Sequence, residues 1–128
     1  MAITKTKKEK SASWYLKKAD KVFSLWIRNR DNNKCFTCGK QMTKTESQCG
    51  HYVSRSCFPL RWNEKNTACQ CVGCNIFKKG NLDQFALNLM KKYGDNILYD
   101  LDDIKKESKR NVKKYGKDFY KAIIKLYE

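Results

Sequence analysis

The hydrophobic positions of this chain fall into stretches of helical spacing interrupted by one long stretch that has none. From Ser13, read as an N-cap, the residues Leu16, Ala19, Val22, Phe23, Trp26 and Ile27 recur at intervals of three and four. That interval places them on one face of an amphipathic helix, predicted to end near Asp31 to Asn33. After Gly80 the interval returns in Leu82, Phe85, Ala86, Leu89 and Met90, with Tyr93-Gly94 as the stop. The tail from about Leu98 to Glu128 reads as one or two further helices broken near Tyr115-Gly116, with Phe119, Ile123 and Leu126 offered for packing. Residues 34–80 differ in kind. They hold every cysteine, the single histidine and the single proline, and show little periodicity before Asn66. Pro59 marks a rigid turn there.

A chain of 128 residues suits one compact domain with helical additions. Its 28 Lys and Arg against 13 Asp and Glu leave a formal charge of +15, which calls for a polyanionic partner, nucleic acid first. A solvated basic surface is the plainer reading of the same charge. Residues 1–12 are lysine-rich and poor in apolar side chains, and read as a flexible basic arm. No stretch approaches the roughly 20 apolar residues of a membrane span, and the N-terminus has no apolar signal-peptide core, so a cytoplasmic protein is expected. The seven cysteines are odd in number and come without an export signal, which favours reduced thiolates on a metal over disulfides.

Two pairs, Cys35-Phe-Thr-Cys38 and Cys71-Val-Gly-Cys74, have the spacing that lets two thiolates reach one ion from a tight turn. Together they make a closed tetrahedral zinc site, with Gly39 after the first pair supplying the positive φ that such turns require. A redox pair or an iron-sulfur cluster would leave the neighbouring His and Asn unexplained. Cys49, Cys57 and Cys69 are surplus and read as small buried hydrophobes, although Cys69, two residues before Cys71, could compete as a ligand. Four protein ligands leave no open position, so this zinc stabilises the fold and does not activate water.

His51 lies between the two pairs, Asn66 follows at 15 residues, and Asn75 comes directly after Cys74. A histidine on its own is usually a packing residue; the order CxxCG, His, Asn, CxxCN changes that, because it resembles the zinc-bearing HNH endonucleases. The runs GHYVSR, LRWNEKN and QCVGCNIFKKGN, followed by a helix ending in KKYG, further resemble the NinG/Rap family of phage recombination endonucleases over residues 20–100. The resemblance implies an α+β fold: a small treble-clef-like ββα-metal core with zinc knuckles, flanked by an N-terminal helix and C-terminal helices. It implies a nuclease domain over residues 13–97 and a helical extension over 98–128. It also implies a phage or prophage protein that cuts branched DNA, such as a Holliday junction, during recombination.

Carried over by position, the resemblance makes His51 the general base, Asn66 the loop residue that braces it, and Asn75 a ligand to a catalytic Mg²⁺ or Mn²⁺ that His51 also adjoins. A neutral imidazole suits proton abstraction near pH 7, and a hard divalent ion suits amide and phosphate oxygens. Many HNH enzymes place an acidic metal ligand just before the histidine. Here that place is Gly50, so either Glu46 or Glu64 swings in or the phosphate and waters complete the shell.

Arg55, Arg61, Lys78 and Lys79 flank these residues in sequence and are the first candidates for phosphate contacts, against a plain basic rim. Trp62 and Tyr52 could stack on exposed bases but, beside a zinc knuckle, read more simply as core. A symmetric cut of a four-way junction would call for a homodimer. Two other functions fit the same residues: a zinc-knuckle nucleic-acid-binding protein without catalysis, and an HNH nickase of ordinary duplex DNA.

Overall fold

In a computed structural model that describes residues 8–128, the chain is a mixed α+β fold. In order come α1 (Ala12–Arg30), β1 (Gln48–His51), α2 (Phe58–Arg61), β2 (Thr67–Gln70), a π-helical turn (Gly73–Phe77), α3 (Leu82–Tyr93), α4 (Ile97–Arg110) and α5 (Lys117–Tyr127). α1 begins two residues earlier than expected. Ser11, not Ser13, is the N-cap, its hydroxyl accepting from the Trp14 amide at 3.1 Å. Of the basic arm expected over residues 1–12, the first seven lie outside the described residues. Residues 9–12 are tied down, Glu9 bonding to both Tyr15 and Lys121 and Ala12 opening α1.

α1 buries Ala19, Phe23 and Ile27 on one face, the stripe its spacing predicts. Its partner is α5, and the two close over Trp62. The face α5 buries is not the expected one. Tyr120 is buried and Ile123, Ile124 and Tyr127 are partly buried, whereas Leu126 is 68% exposed and Phe119 sits on a rim against Trp62 and Tyr115. Residues 120, 123, 124 and 127 are one helical stripe; Leu126 falls outside it and Phe119 borders it. A second core joins Leu60 and Ala68 to Phe85 and Leu89 of α3 and to Ile97 and Leu101 of α4. The helices after Gly80 thus roof the irregular stretch.

That stretch is organised by a two-stranded antiparallel hairpin. β1 pairs with β2 in the register Gln48 to Gln70, Cys49 to Cys69, Gly50 to Ala68 and His51 to Thr67. The end of α1 is stapled to it: Arg30 donates to the carbonyls of Glu64 and Thr67, and Asp31 accepts from the Cys69 amide at 2.9 Å. Asn32 and Asn33 then take positive φ, a conformation asparagine tolerates, and turn the chain into the first cysteine pair.

Candidate functional site

The four cysteines predicted to hold zinc come together. Sγ atoms of Cys35, Cys38, Cys71 and Cys74 lie within 4.8 Å of one another, Cys38 exposed and the other three buried. Each knuckle is shaped by its own backbone: Gly39, at φ +79°, donates to the Cys35 carbonyl, and the Cys74 amide donates to Cys71 Sγ at 3.3 Å. Burial opposes ionisation of Cys35, but the Thr37 hydroxyl and nearby amides stabilise its thiolate and draw it down to about 6. The Lys40 amide favours the Cys38 thiolate, yet burial and the three neighbouring sulfurs outweigh it and push that thiol up to about 12. Four thiolates this close repel one another unless a cation sits among them, and a soft tetrahedral sulfur set fits zinc.

The surplus cysteines stay out of this group. Cys69, fully buried, faces Cys49 across the hairpin, and burial raises the two thiols to about 11 and about 12. Cys57 lies 3.5 Å from the Ser108 hydroxyl.

His51 ends β1 and lies half-buried in a pocket of about 270 Å³ whose opposite wall is α1. Its Nε2 is 2.8 Å from the Arg61 carbonyl, which can only accept, so Nε2 carries the hydrogen and Nδ1 keeps its lone pair. Burial, more than any other cause, holds its pKa below 6.5; the Arg61 carbonyl opposes this, and the nearby Arg55 charge adds to it. The imidazole is therefore a neutral base at pH 7.

Asn66 is fully buried and does not face the pocket. Its Oδ1 accepts from the Val53 amide and its Nδ2 donates to the carbonyls of Val53 and Leu60, all within 3.0 Å. It braces the loop between the strands, which fixes Arg61 and through it the imidazole. Asn75 lies in the π-helical turn and not in a long helix, because Lys79, Gly80 and Asn81 all take positive φ and break the chain before α3. Asn75 Nδ2 donates to Gln48 Oε1 at 2.9 Å, and Gln48 also lines the His51 pocket. Gln48 is thus the link between the histidine and the second asparagine.

Gly50 is excluded from carrying a metal ligand by its neighbour. A Cβ there would lie 1.8 Å from Gln70 Oε1. Gln70 is fully buried, donates to Thr37 and to the Gly80 carbonyl, and leaves Oε1 without a partner. Nor do the two glutamates turn inward: Glu46 accepts from Thr43, and Glu64 from the Tyr127 hydroxyl. The donors near Asn75 are neutral amide oxygens. They suit a hard cation in kind but supply no negative charge.

Of the four basic candidates, Arg55 lines the pocket and is exposed, and Lys78 and Lys79 are exposed beside the π-helical turn. Arg61 is committed elsewhere: its guanidinium grips both oxygens of Asp20, at 2.9 and 2.5 Å, and Asp20 also accepts from Trp62 Nε1. Trp62 is core, as its position beside a knuckle suggests, and Tyr52 packs on Phe85. An aromatic ring that does project outward near these lysines is Phe77, 81% exposed next to Lys78 and Lys79. Arg28, Asp20, Ser47 and Gln48 complete the pocket. Arg28 and Asp20 lie on the polar side of an amphipathic helix, where periodicity marks them only as solvent-facing. A larger cavity of about 1080 Å³, between α2 and the α4–α5 connection, contains none of the predicted site residues.

A family model described as Bacteriophage Lambda NinG protein matches residues 2–128. The chain belongs to the NinG family. Protein ninG of Escherichia phage lambda is 34% identical over 121 residues, covering 93% of this chain and 56% of that protein. Protein ninG of Escherichia phage 933W is 32% identical over 121 residues, and that of Salmonella phage P22 is 34% identical over 104 residues, 49% of its length. The chain therefore spans about half the length of the NinG proteins it matches. No solved structure matches it. Among the described residues, no helix is long and apolar enough to cross a membrane.

Proposed function

We propose that this NinG-family chain is a structure-selective DNA endonuclease of the HNH type that acts on branched DNA in recombination, with His51 as the general base. The observation that carries the reading is the imidazole itself, neutral, oriented by the Arg61 carbonyl through Nε2, and set in a cationic pocket with Nδ1 unbonded among the described residues. Cys35, Cys38, Cys71 and Cys74 would hold a zinc that fixes their two turns, with no open position for the reaction.

In the reaction, Nδ1 of His51 takes a proton from water as its oxygen bonds to phosphorus. The phosphorus–oxygen bond to one deoxyribose breaks, and that oxygen takes a proton from solvent, leaving a phosphomonoester and a hydroxyl. The imidazolium then returns its proton to water. Asn75 would hold a Mg²⁺ or Mn²⁺ ion, which when bound supplies charge compensation for the phosphate. Asn75 and Gln48 offer only uncharged amide oxygens, so such an ion would depend on the DNA phosphate for most of its binding energy. Arg55, Lys78 and Lys79 serve as contacts to the backbone, and the net charge of +15 adds affinity that falls with salt.

The test is divalent-ion-dependent cleavage of a labelled four-way junction and its matched linear duplex by wild type and His51→Ala. The reading expects the junction to be cut by wild type, and to be bound but left intact by the variant. Equal cutting of the linear duplex would make the protein a nickase of ordinary DNA. Binding by both proteins with no cutting under any divalent ion would make it a zinc-knuckle binding module.

A further inference from the structure

Three arginines face the His51 pocket, and the charges around them do not balance. Asp20 is the carboxylate that lines it, and both of its oxygens are taken by Arg61, with Trp62 sharing one. Arg28 and Arg55 have no carboxylate partner among the described residues. Arg28 is half-buried, and its guanidinium is held from one side only: Nε donates to the Ser24 carbonyl at 3.3 Å, and Nη1 to the carbonyls of Lys44 and Ser47 at 3.0 and 3.4 Å. Its Nη2 donates to no acceptor among the described residues. Arg55 is fixed through its backbone, its carbonyl accepting from Arg61 Nη1 at 3.3 Å, while its own guanidinium is unbonded among the described residues.

A partly desolvated cation oriented by neutral carbonyls is a poor arrangement unless an anion completes it, because carbonyl dipoles replace only part of the lost hydration. The vacant donor edge is therefore informative. We propose that Arg28 and Arg55 form a seat for one phosphodiester phosphate beside His51, so that α1 supplies half of the phosphate site and is more than scaffold. This rests on the nuclease reading and makes the phosphate in the seat the one that is cut. The pocket of about 270 Å³ has room for a phosphate and several waters, at about 30 Å³ per water, but not for a base pair. Guanidinium donors match phosphate oxygens in geometry, and a fixed guanidinium loses little entropy on binding. The Arg61–Asp20 pair contributes no net charge to the seat; it holds the Arg61 carbonyl against His51 and keeps the two functions in register.

The seat is tested with inorganic phosphate as the probe and nitrogen-resolved NMR of the arginine and histidine side chains, together with single-turnover cleavage of the four-way junction. In wild type, phosphate should shift the Arg28 and His51 resonances. Arg28→Gln and Arg55→Gln should each weaken that binding by about tenfold or more and slow cleavage by a similar or larger factor. Arg28→Lys, which keeps the charge but loses the fork, should recover only part of both. Arg55 is exposed, so its variant answers the question even if Arg28→Gln fails to fold. If phosphate shifts Arg28 and His51 but no DNA is cut, the seat stands and the nuclease reading falls. If wild type cuts DNA while phosphate leaves Arg28 unshifted, or while both glutamine variants cut at the wild-type rate, the seat is overturned and the nuclease reading survives.

Discussion

The sulfur cluster and the His51 pocket lie at opposite ends of what a short chain can arrange. The cluster is made of two local turns, each a few residues long, whose shape is set by backbone conformation at Gly39 and by amide-to-sulfur hydrogen bonds. Its four sulfurs are placed so that one cation could sit among them. The pocket is made of single residues from α1, β1 and the loop between the strands, and each is held by a partner distant in sequence: His51 by Arg61, Arg61 by Asp20, and the loop by Asn66. On the proposed zinc reading, metal binding should govern whether the protein folds. Side-chain and backbone hydrogen bonds govern whether its chemistry is aligned.

The largest effect should come from the sulfur end. Cys71→Ser, or removal of metal from wild type with a strong chelator, should abolish cooperative thermal unfolding followed by circular dichroism. Elemental analysis of wild type should find one zinc per chain. Structural zinc supplies about 10 kcal/mol or more of apparent folding free energy to small sites, comparable to the whole stability of a domain of this size. A chelated protein that still melts cooperatively at an unchanged temperature would remove the contrast between the two ends.

An intermediate effect is expected at Asn66, which braces the loop between the strands. Asn66→Ala strips partners from the Val53 amide and from the carbonyls of Val53 and Leu60 in a fully buried setting. It should cost about 3 kcal/mol in urea denaturation while leaving zinc content unchanged. Loss of zinc together with stability would mean that the loop and the knuckles are one cooperative unit.

The smallest effect belongs to the pocket and appears only as a pH dependence. Burial holds the folded pKa of His51 below 6.5, so as pH falls through 6.5 the unfolded chain takes up a proton that the folded chain refuses. Stability from this group is thus intact above 6.5, declines as pH drops toward the depressed folded value, and is level below it. His51→Gln should flatten that part of the stability curve, measured as urea midpoints between about pH 7.5 and about pH 5. An unchanged slope would mean that the imidazole is not desolvated in the folded chain.

Helix spacing was read correctly for α1 and α3, whose apolar stripes are buried as expected, and only in part for α5, where Ile123 turns inward but Leu126 does not. Which stripe of α5 turns inward depends on where α1 lies, so Tyr120 and not Leu126 is buried. Gly50 is a similar case. Its sequence position suggested a missing ligand, but the reason for glycine is the Gln70 amide folded across it from the other strand.

What the sequence determined by itself is chemistry carried by short spacing: the two CxxC pairs whose sulfurs meet, the single histidine between them, and the family to which the chain belongs. What the tertiary structure alone decided is the environment of that histidine. Arg28 and Asp20 are eight residues apart on the polar side of α1, and nothing local distinguishes them from a solvated face. Only the packing of α1 against the hairpin gives one of them an empty donor edge and the other a structural partner, because desolvation and charge pairing arise from contacts between segments that one-dimensional order does not specify.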